Sequence, residues 1–375
     1  MRIAMLGSKG IPSATSKGGG VETHVEKLSV RLVERGHQVM VYARPYANPD
    51  KKKSWNGVQL ITLPTIQTKN LDAIISTLFA TIHVLFQDVD IIHYHGVGPS
   101  TLAWIPRLLK PRAKVVVTFH SRDRFHEKWG MIARAYLAFG EWTAVTFPHA
   151  TIAVSHVIKV FCQRMYNAHH VLYIPNGVEI AAESYRTDAL KKFDLKPNGY
   201  FYSLCRFIPH KAVEDIIEAF KGVETDKKLL IIGWAAESER EYGEKIAKAT
   251  KGDPRIILAG RQTGETLEQL MSHAYAMVTA SRFEGLSIAV LEAMSHGKMA
   301  VMSDIPENLE VVDHSGVAFK TGDIGALRET LQWLCGDEIL VRERGERARD
   351  VIKKLYSWDS VVIRIEHVYN TLLNK

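Results

Sequence analysis

At 375 residues, 46% apolar and 24% charged, the chain is too long for one hydrophobic core and too apolar for disorder, which leaves two globular domains. Its three cysteines, Cys162, Cys205 and Cys335, are far apart; they exclude a disulfide framework or a CxxC zinc site and fit a reducing cytoplasm. Charge is unevenly shared: residues 1–176 hold 21 Lys+Arg against 10 Asp+Glu (+11) and the remainder 27 against 31 (−4); the first part suits phosphate groups, an anionic lipid surface or nucleic acid, or is a solvated basic face, which charge alone favours.

The N-terminal run to Pro12 has one early basic residue and too short an apolar stretch for a signal peptide. Ile3–Leu6 reads as a buried strand. A glycine-rich loop from Gly7 to Gly20 follows, including Gly18, Gly19 and Gly20, and enters an amphipathic segment over Val21–Arg35. Such a loop at a helix start lets backbone N–H groups approach a phosphate, and a plain surface loop is the equal alternative. It is neither GxGxxG nor a Walker sequence, which disfavours a dinucleotide-dependent dehydrogenase. Gln38–Tyr42 is the next strand. Leu71–Phe86 is strongly apolar but has only 16 residues, with Asp72 and His83 inside it, so it reads as a buried helix rather than a membrane span. Asp88 and Asp90 spell DxD, yet they immediately precede strand Ile91–Tyr94, opposite the edge where parallel sheets bind ligands. No metal is therefore expected.

His93 and His95 share a face of that strand. Without a carboxylate nearby they read as cleft-lining or satisfied core residues. Strand Val115–Phe119 ends on His120, Arg122 and Asp123, where an imidazole suits hydrogen bonding or proton transfer, although a structural histidine has the same signature. An amphipathic segment, Trp129–Thr146, leads to strand Thr151–Val154.

The chain turns polar over Gly177–Asn198 and ends that stretch in Pro197, Asn198 and Gly199, a break followed by a second series of strands. These are Tyr200–Leu204, Lys228–Ile232, Arg255–Leu258, Ala276–Thr279 and Met299–Met302, with a final amphipathic helix from Trp358 to Lys375. Short apolar strands alternating with helices, twice over, imply an α/β protein with two parallel sheets. Ligands are then expected at the carboxyl ends of the strands, in a cleft between domains. Arg206 and Lys211 follow the first strand of the second series; two cations there suit a diphosphate, or are solvated surface charges. After Ala276–Thr279 come Ser281, Glu284, Gly285, Leu286 and Ser287, opening a helix in which Glu292 is expected two turns along. Amides at that helix start suit phosphate or sugar oxygens, and the two carboxylates suit hydroxyls.

Gly19 to Glu22, Thr118 to His120, Pro175 to Gly177, Arg206 with Lys211, and Glu284 with Glu292 run in order along nearly the whole chain. Together they resemble the retaining glycosyltransferases of family 4, which have the GT-B fold. Gly7 to Pro12, Asp123 with Lys128 to Gly130, Gly140 to Trp142 and Ser303 to Asn308 resemble more narrowly a bacterial branch that builds capsule, O-antigen and other exopolysaccharides.

The resemblance implies two Rossmann-like domains, 1–178 for the acceptor and 179–357 for the nucleotide sugar, with helix 358–375 crossing back to the first. Arg206 and Lys211 would contact the diphosphate, helped by Gly19 and Gly20. Glu284 would face the sugar, Glu292 the ribose, Arg261 the base, and His120 the anomeric centre. Arg122, Asp123, Lys128 and His95 would lie on the acceptor side. Retention by same-face attack is implied, with the leaving diphosphate accepting the acceptor's proton. A hexosyl or deoxyhexosyl group would pass from a donor based on UDP, GDP or dTDP to a saccharide or lipid-diphosphate-linked saccharide, without a cofactor. The place would be the cytoplasm, in peripheral contact with an anionic membrane. His210, Lys211 and Ala212 stand where the family commonly has Glu-Lys-Gly, which puts the shape of that loop in question. A nucleotide-sugar epimerase and a non-catalytic sugar-nucleotide binding protein are the alternative readings. Nucleic acid is not expected, since no aromatic–basic interleaving or recognised motif supports it.

Overall fold

A computed structural model describes residues 1–14, 19–66, 68, 72–125, 129–182, 185–312 and 315–374. The chain divides into two compact units, Met1–Gly177 with Trp358–Lys375, and Val178–Ser357.

The first unit is built on an eight-stranded sheet. Its strands are β1 (Arg2–Leu6), β2 (Gln38–Ala43), β3 (Ser54–Trp55), β4 (Val58–Thr62), β5 (Ile91–His95), β6 (Lys114–Phe119), β7 (Ala150–Ala153) and β8 (Leu172–Tyr173), in the order β3-β4-β2-β1-β5-β6-β7-β8. Only β3 is antiparallel, a short edge hairpin with β4. The central strands are buried throughout and mostly apolar, as helices on both faces require, with His93 and His95 the polar exceptions on β5.

Right-handed crossovers fix which helix goes where. The step from β1 to β2 runs one way along the sheet and every step from β4 to β8 runs the other. Helix α1 (Gly20–Glu34) therefore covers one face. Helices α2 (Asp72–Leu85), α3 (Val97–Ser100), α4 (Trp104–Leu109), α5 (Met131–Thr146) and α6 (His156–Tyr166) cover the opposite face, where α3 touches both α2 and α5.

The second unit has six parallel strands, β9 (Tyr200–Arg206), β10 (Lys228–Trp234), β11 (Ile256–Gly260), β12 (Ala276–Thr279), β13 (Ala300–Ser303) and β14 (Gly316–Phe319), in the order β11-β10-β9-β12-β13-β14. After α7 (Asp188–Lys191), its main helices are α8 (Val213–Lys221), α9 (Arg240–Ala249), α10 (Gly264–Ser272), α11 (Ile288–Ser295), α12 (Pro306–Val312), α13 (Ile324–Cys335) and α14 (Glu338–Leu355). Phe201, Phe220, Leu229, Val278, Leu327 and Leu331 meet in its core.

Helix α15 (Trp358–Leu372) belongs to the first unit, not to the unit that precedes it in sequence. It lies beside α1, and Trp358, Val361, Val362 and Ile365 join Ile3, Met5, Val25 and Leu28 in one apolar cluster. Gly177 is required there: a Cβ on it would stand 2.4 Å from the Trp358 ring.

Strands β3, β4, β8 and β14 were not anticipated from the sequence. They are short and incompletely buried, and all four lie at or next to a sheet edge, so their apolar runs are weak.

Because Trp358 is 3% exposed and anchors α15, Trp358→Ala is expected to cost about 3–5 kcal/mol. Urea unfolding monitored on the first unit checks this; a loss below about 1 kcal/mol would mean that α15 contributes little to that core.

Candidate active site

In the second unit, connections leave β9 toward β10 on one side, while β12 pairs with β9 on the other. The carboxyl ends of β9 and β12 thus flank a topological switch point, where two loops diverge and leave a crevice. Arg206 is the last residue of β9 and is exposed. A single 3-10 turn, Pro209–Lys211, then presents Lys211. Its ammonium donates to Glu284 Oε1 from the loop after β12, an ion pair with side chains 18% and 11% exposed.

Two further contacts tie the loops. Arg282 N donates to His210 O at 2.8 Å, and Arg282 Nη2 to Asp215 Oδ2 at 3.1 Å. Beneath them Ser303 Oγ donates to Ser281 O at 2.5 Å, and Asn308 Nδ2 to Ser303 O at 3.0 Å. The Glu284 loop is therefore held from both sides.

Ala212 carries φ +46° and ψ +47°, the left-handed region that glycine enters freely. Alanine bears roughly 1–2 kcal/mol of strain there. Its methyl is buried in the core beneath α8, so the departure from the family's glycine leaves the left-handed turn in place.

Gly285, Leu286 and Ser287 are buried and lead into α11. Ser287 sits at the cap without a side-chain cap bond, so no hydroxyl competes for the first-turn amides. The helix begins at Ile288, which places Glu292 about one turn in rather than two; Gly285 to Ser287 extend the loop instead of starting the helix. Tyr202, fully buried on β9 with no partner for its hydroxyl, has its phenol pushed well up, first by burial and then by Glu292. Burial likewise raises the Cys205 thiol to about 11, with Lys211 opposing and Glu284 adding to the shift. Arg261, after the Gly260 turn, stacks its guanidinium 4.8 Å over the Trp234 ring at the end of β10. Tyr202, Asp215, Trp234 and Arg282 carry no local sequence signal; strand pairing alone brings them here.

In the first unit, carboxylates hold the glycine loop. Glu22 accepts from Lys9 N at 3.1 Å and Gly19 N at 2.7 Å, and Glu26 accepts from Ser13 N at 2.7 Å. The Gly19 amide is thus committed to Glu22, and Gly20 is the first residue of α1. Gly18 and Lys128 lie outside the described residues. Arg2 bonds both Asp88 and Asp90, which makes the DxD sequence an anchor for the start of the sheet.

At the carboxyl ends of β5 and β6 the structure gathers four histidines. His93 has both ring nitrogens occupied, by Tyr369 Oη at 2.6 Å and Thr118 Oγ1 at 2.7 Å, and is a satisfied core residue. His95 Nδ1 lies 3.2 Å from His120 Nε2. His120 is only 8% exposed, so it sits inside the unit rather than open at a strand tip. His24, on α1 and unremarked in the sequence, contacts His120 ring to ring and bonds Asn176 Oδ1 through Nδ1 at 3.0 Å. Burial lowers His24 to about 4 and His93 to about 3, and holds His95 and His120 well below the usual range, so all four are neutral near pH 7.

Arg122 stacks near Phe125 and Phe161, and Asp123 accepts from Ser121 Oγ at 2.7 Å. Glu141 is buried; it accepts from Tyr166 Oη at 2.7 Å and pairs with Arg124 at 3.1 Å, a structural use of the Gly140 to Trp142 motif.

Two parallel α/β units carrying this crevice define a glycosyltransferase of the GT-B class. Two family models match, Glycosyltransferase Family 4 over residues 18–182 and Glycosyl transferases group 1 over residues 187–351, and the chain belongs to glycosyltransferase family 4. It is 23% identical to N-acetyl-alpha-D-glucosaminyl L-malate synthase of Bacillus anthracis, over 97% of each chain. Its fold is similar to sucrose-phosphate synthase of Thermosynechococcus elongatus (TM-score 0.85, 19% identity, 100% and 99% of the two chains). It is also similar to HepE of Anabaena, solved with UDP and glucose (TM-score 0.81, 16% identity, 99% and 100%).

A double-mutant cycle on Lys211→Ala and Glu284→Ala, read by denaturant unfolding without ligand, is expected to give a coupling of about 1 kcal/mol. Strict additivity would show that the two side chains do not hold each other.

Proposed function

We propose that the chain moves a hexosyl or deoxyhexosyl group from a nucleoside-diphosphate sugar to a saccharide acceptor with retention of anomeric configuration, in cell-surface polysaccharide synthesis. The observation that carries this reading is the Lys211–Glu284 pair, with Arg206 beside it, at the β9/β12 switch point. The HepE complex with UDP and glucose supports a donor of the same chemical class.

Arg206 and Lys211 hold the diphosphate, and the amides entering α11 take further phosphate or sugar oxygens. As Lys211 turns to phosphate, Glu284 is freed to accept from sugar hydroxyls. Glu292 takes the ribose, and Arg261 on Trp234 flanks the base. His120 of the first unit is assigned to the reacting sugar. The bond from C1 to the acceptor oxygen forms on the face where the bond from C1 to the diphosphate oxygen breaks. The acceptor's hydroxyl proton passes to the leaving diphosphate. No cofactor enters, and transfer requires no divalent metal.

Thermal shift against UDP, GDP, dTDP, NAD and ATP tests donor binding, because a ligand at a hundredfold its Kd stabilises by roughly 2.7 kcal/mol. One nucleoside diphosphate is expected to raise Tm in the native protein and not in Arg206→Ala; a response to NAD alone would refute the reading. Lys211→Ala is expected to lower kcat by about 10²–10³ through lost leaving-group stabilisation. An unchanged kcat/KM would remove Lys211 from the site. Consumption of the donor without an acceptor would instead favour the epimerase.

A lipid-diphosphate-linked acceptor at an anionic membrane surface has its own support in the first unit. Phe79, Ile82 and Phe86 form one stripe along and just beyond α2, Leu108 and Leu109 end α4, and Met131 and Ile132 open α5, all exposed. Phe86, Met131 and Ile132 are 82%, 86% and 87% exposed. These helices share one face of the sheet. Exposed Arg112, Arg134 and Arg164 lie among α4 to α6, and the one carboxylate of those three helices, Glu141, is buried. Apolar side chains framed by these cations match an anionic bilayer, and the exposed Asp88 beyond Phe86 is paired with Arg2. No helix among the described residues is long and apolar enough to cross a membrane. The protein is expected to float with vesicles containing anionic lipid, and Met131→Asp with Ile132→Asp to abolish this. Equal flotation with neutral vesicles, or none with either, would contradict the assignment.

A further inference from the structure

His24, His95 and His120 each offer a ring nitrogen, and these atoms all lie within 4.8 Å of one another. The geometry points to a site for a zinc-type transition metal, formed by these three side chains, whose occupancy silences transfer. The silencing rests on the assignment of His120 to the reacting sugar; the binding of metal does not.

Hydrogen bonding outside the cluster fixes two of the three tautomers. Asn176 Oδ1 accepts from His24 Nδ1 at 3.0 Å, so His24 Nε2 carries a lone pair; that atom is buried and has no hydrogen-bond partner. His95 Nε2 points to Met5 Sδ at 3.4 Å, a weak acceptor, which leaves the Nδ1 lone pair facing His120. The one proton on His120 Nε2 therefore goes to His95 Nδ1, and the buried lone pair on His24 Nε2 is left without a donor. Such a half-satisfied set in a buried site is costly, and a cation shared by three lone pairs resolves it. A carbonyl oxygen holding the far nitrogen of a ligand histidine is also the usual support around a bound metal.

The spacing agrees. A tetrahedral zinc ion with bonds of ~2.0 Å sets its nitrogen ligands ~3.3 Å apart. The His95 to His120 separation is already 3.2 Å, so His24 has the larger adjustment to make. His120 contributes by moving its proton to Nδ1. His93 is outside the set, because both its nitrogens are engaged. Three neutral imidazoles without a carboxylate suit zinc, copper, nickel or cobalt rather than magnesium or manganese. The consequence is regulatory: the metal takes the Nε2 of His120, and its release returns that nitrogen.

Co2+ titration of the metal-free protein, followed by visible absorption, tests the site. The native protein is expected to develop the d–d bands of tetrahedral cobalt, displaced by Zn2+ and untouched by Mg2+. His24→Gln is expected to weaken binding at least about tenfold. His24→Phe, which keeps a ring against Trp358, serves if the glutamine variant does not fold. Zn2+ is expected to inhibit transfer by the native protein and not by the His24 variant, with metal-free activity retained in both. The proposal is overturned if no bands develop, if they persist unchanged in the His24 variants, or if Zn2+ inhibits native and variant alike. Cobalt bands without any transfer by the metal-free protein would count against the transferase reading and the silencing, and leave the metal site standing.

Discussion

Burial of both faces of a parallel sheet is the constraint on which the rest of this molecule depends. Strands such as Ile91–His95 and Lys228–Trp234 are covered by helices on each side, so most of their length must be apolar. Polar side chains are then concentrated where the strands end. Crossover connections return every strand but the edge strand β3 in the same direction, so those ends share one edge. In the second unit this brings Arg206 and Lys211 after β9 to Glu284 after β12, residues 73 to 78 positions apart. The ion pair follows from topology, and the lateral bonds of Arg282 and Ser303 keep it in place.

The same constraint has a cost in the first unit. His93 and His95 occupy strand positions that apolar residues would fill without penalty. His93 is compensated by Tyr369 and Thr118, which links the sheet to α15. His24, His95 and His120 are compensated only in part, and burial keeps them neutral. Partly satisfied polar groups in a core are poor investments in stability, and their persistence marks a place where chemistry outweighs packing.

Much of this architecture was legible in the sequence because it rests on local pattern. Ala276–Thr279 has the observed bounds, and most other long strands differ by one or two residues, since an uninterrupted apolar run between helical periods has few alternatives. Strands β3, β4, β8 and β14 escaped because incomplete burial leaves their patterns mixed. Glu292 was misplaced by a turn because Gly285 to Ser287 stay in the loop and α11 starts only at Ile288, a choice their residue types do not dictate. His24 could not be singled out, as a histidine on the inner side of an amphipathic helix looks like any other core residue until β5 and β6 are set against it. Partners from distant segments, such as Trp234 under Arg261 or Asp215 beside Arg282, exist only through the fold.

Hydrogen exchange with and without a saturating nucleoside diphosphate tests the central claim most directly, because it locates the donor without relying on any substitution. The account predicts slower exchange confined to the segments around 206–212, 258–262 and 281–292 of the second unit. Protection centred elsewhere, or spread evenly over both units, would contradict the placement of the donor at the β9/β12 switch point.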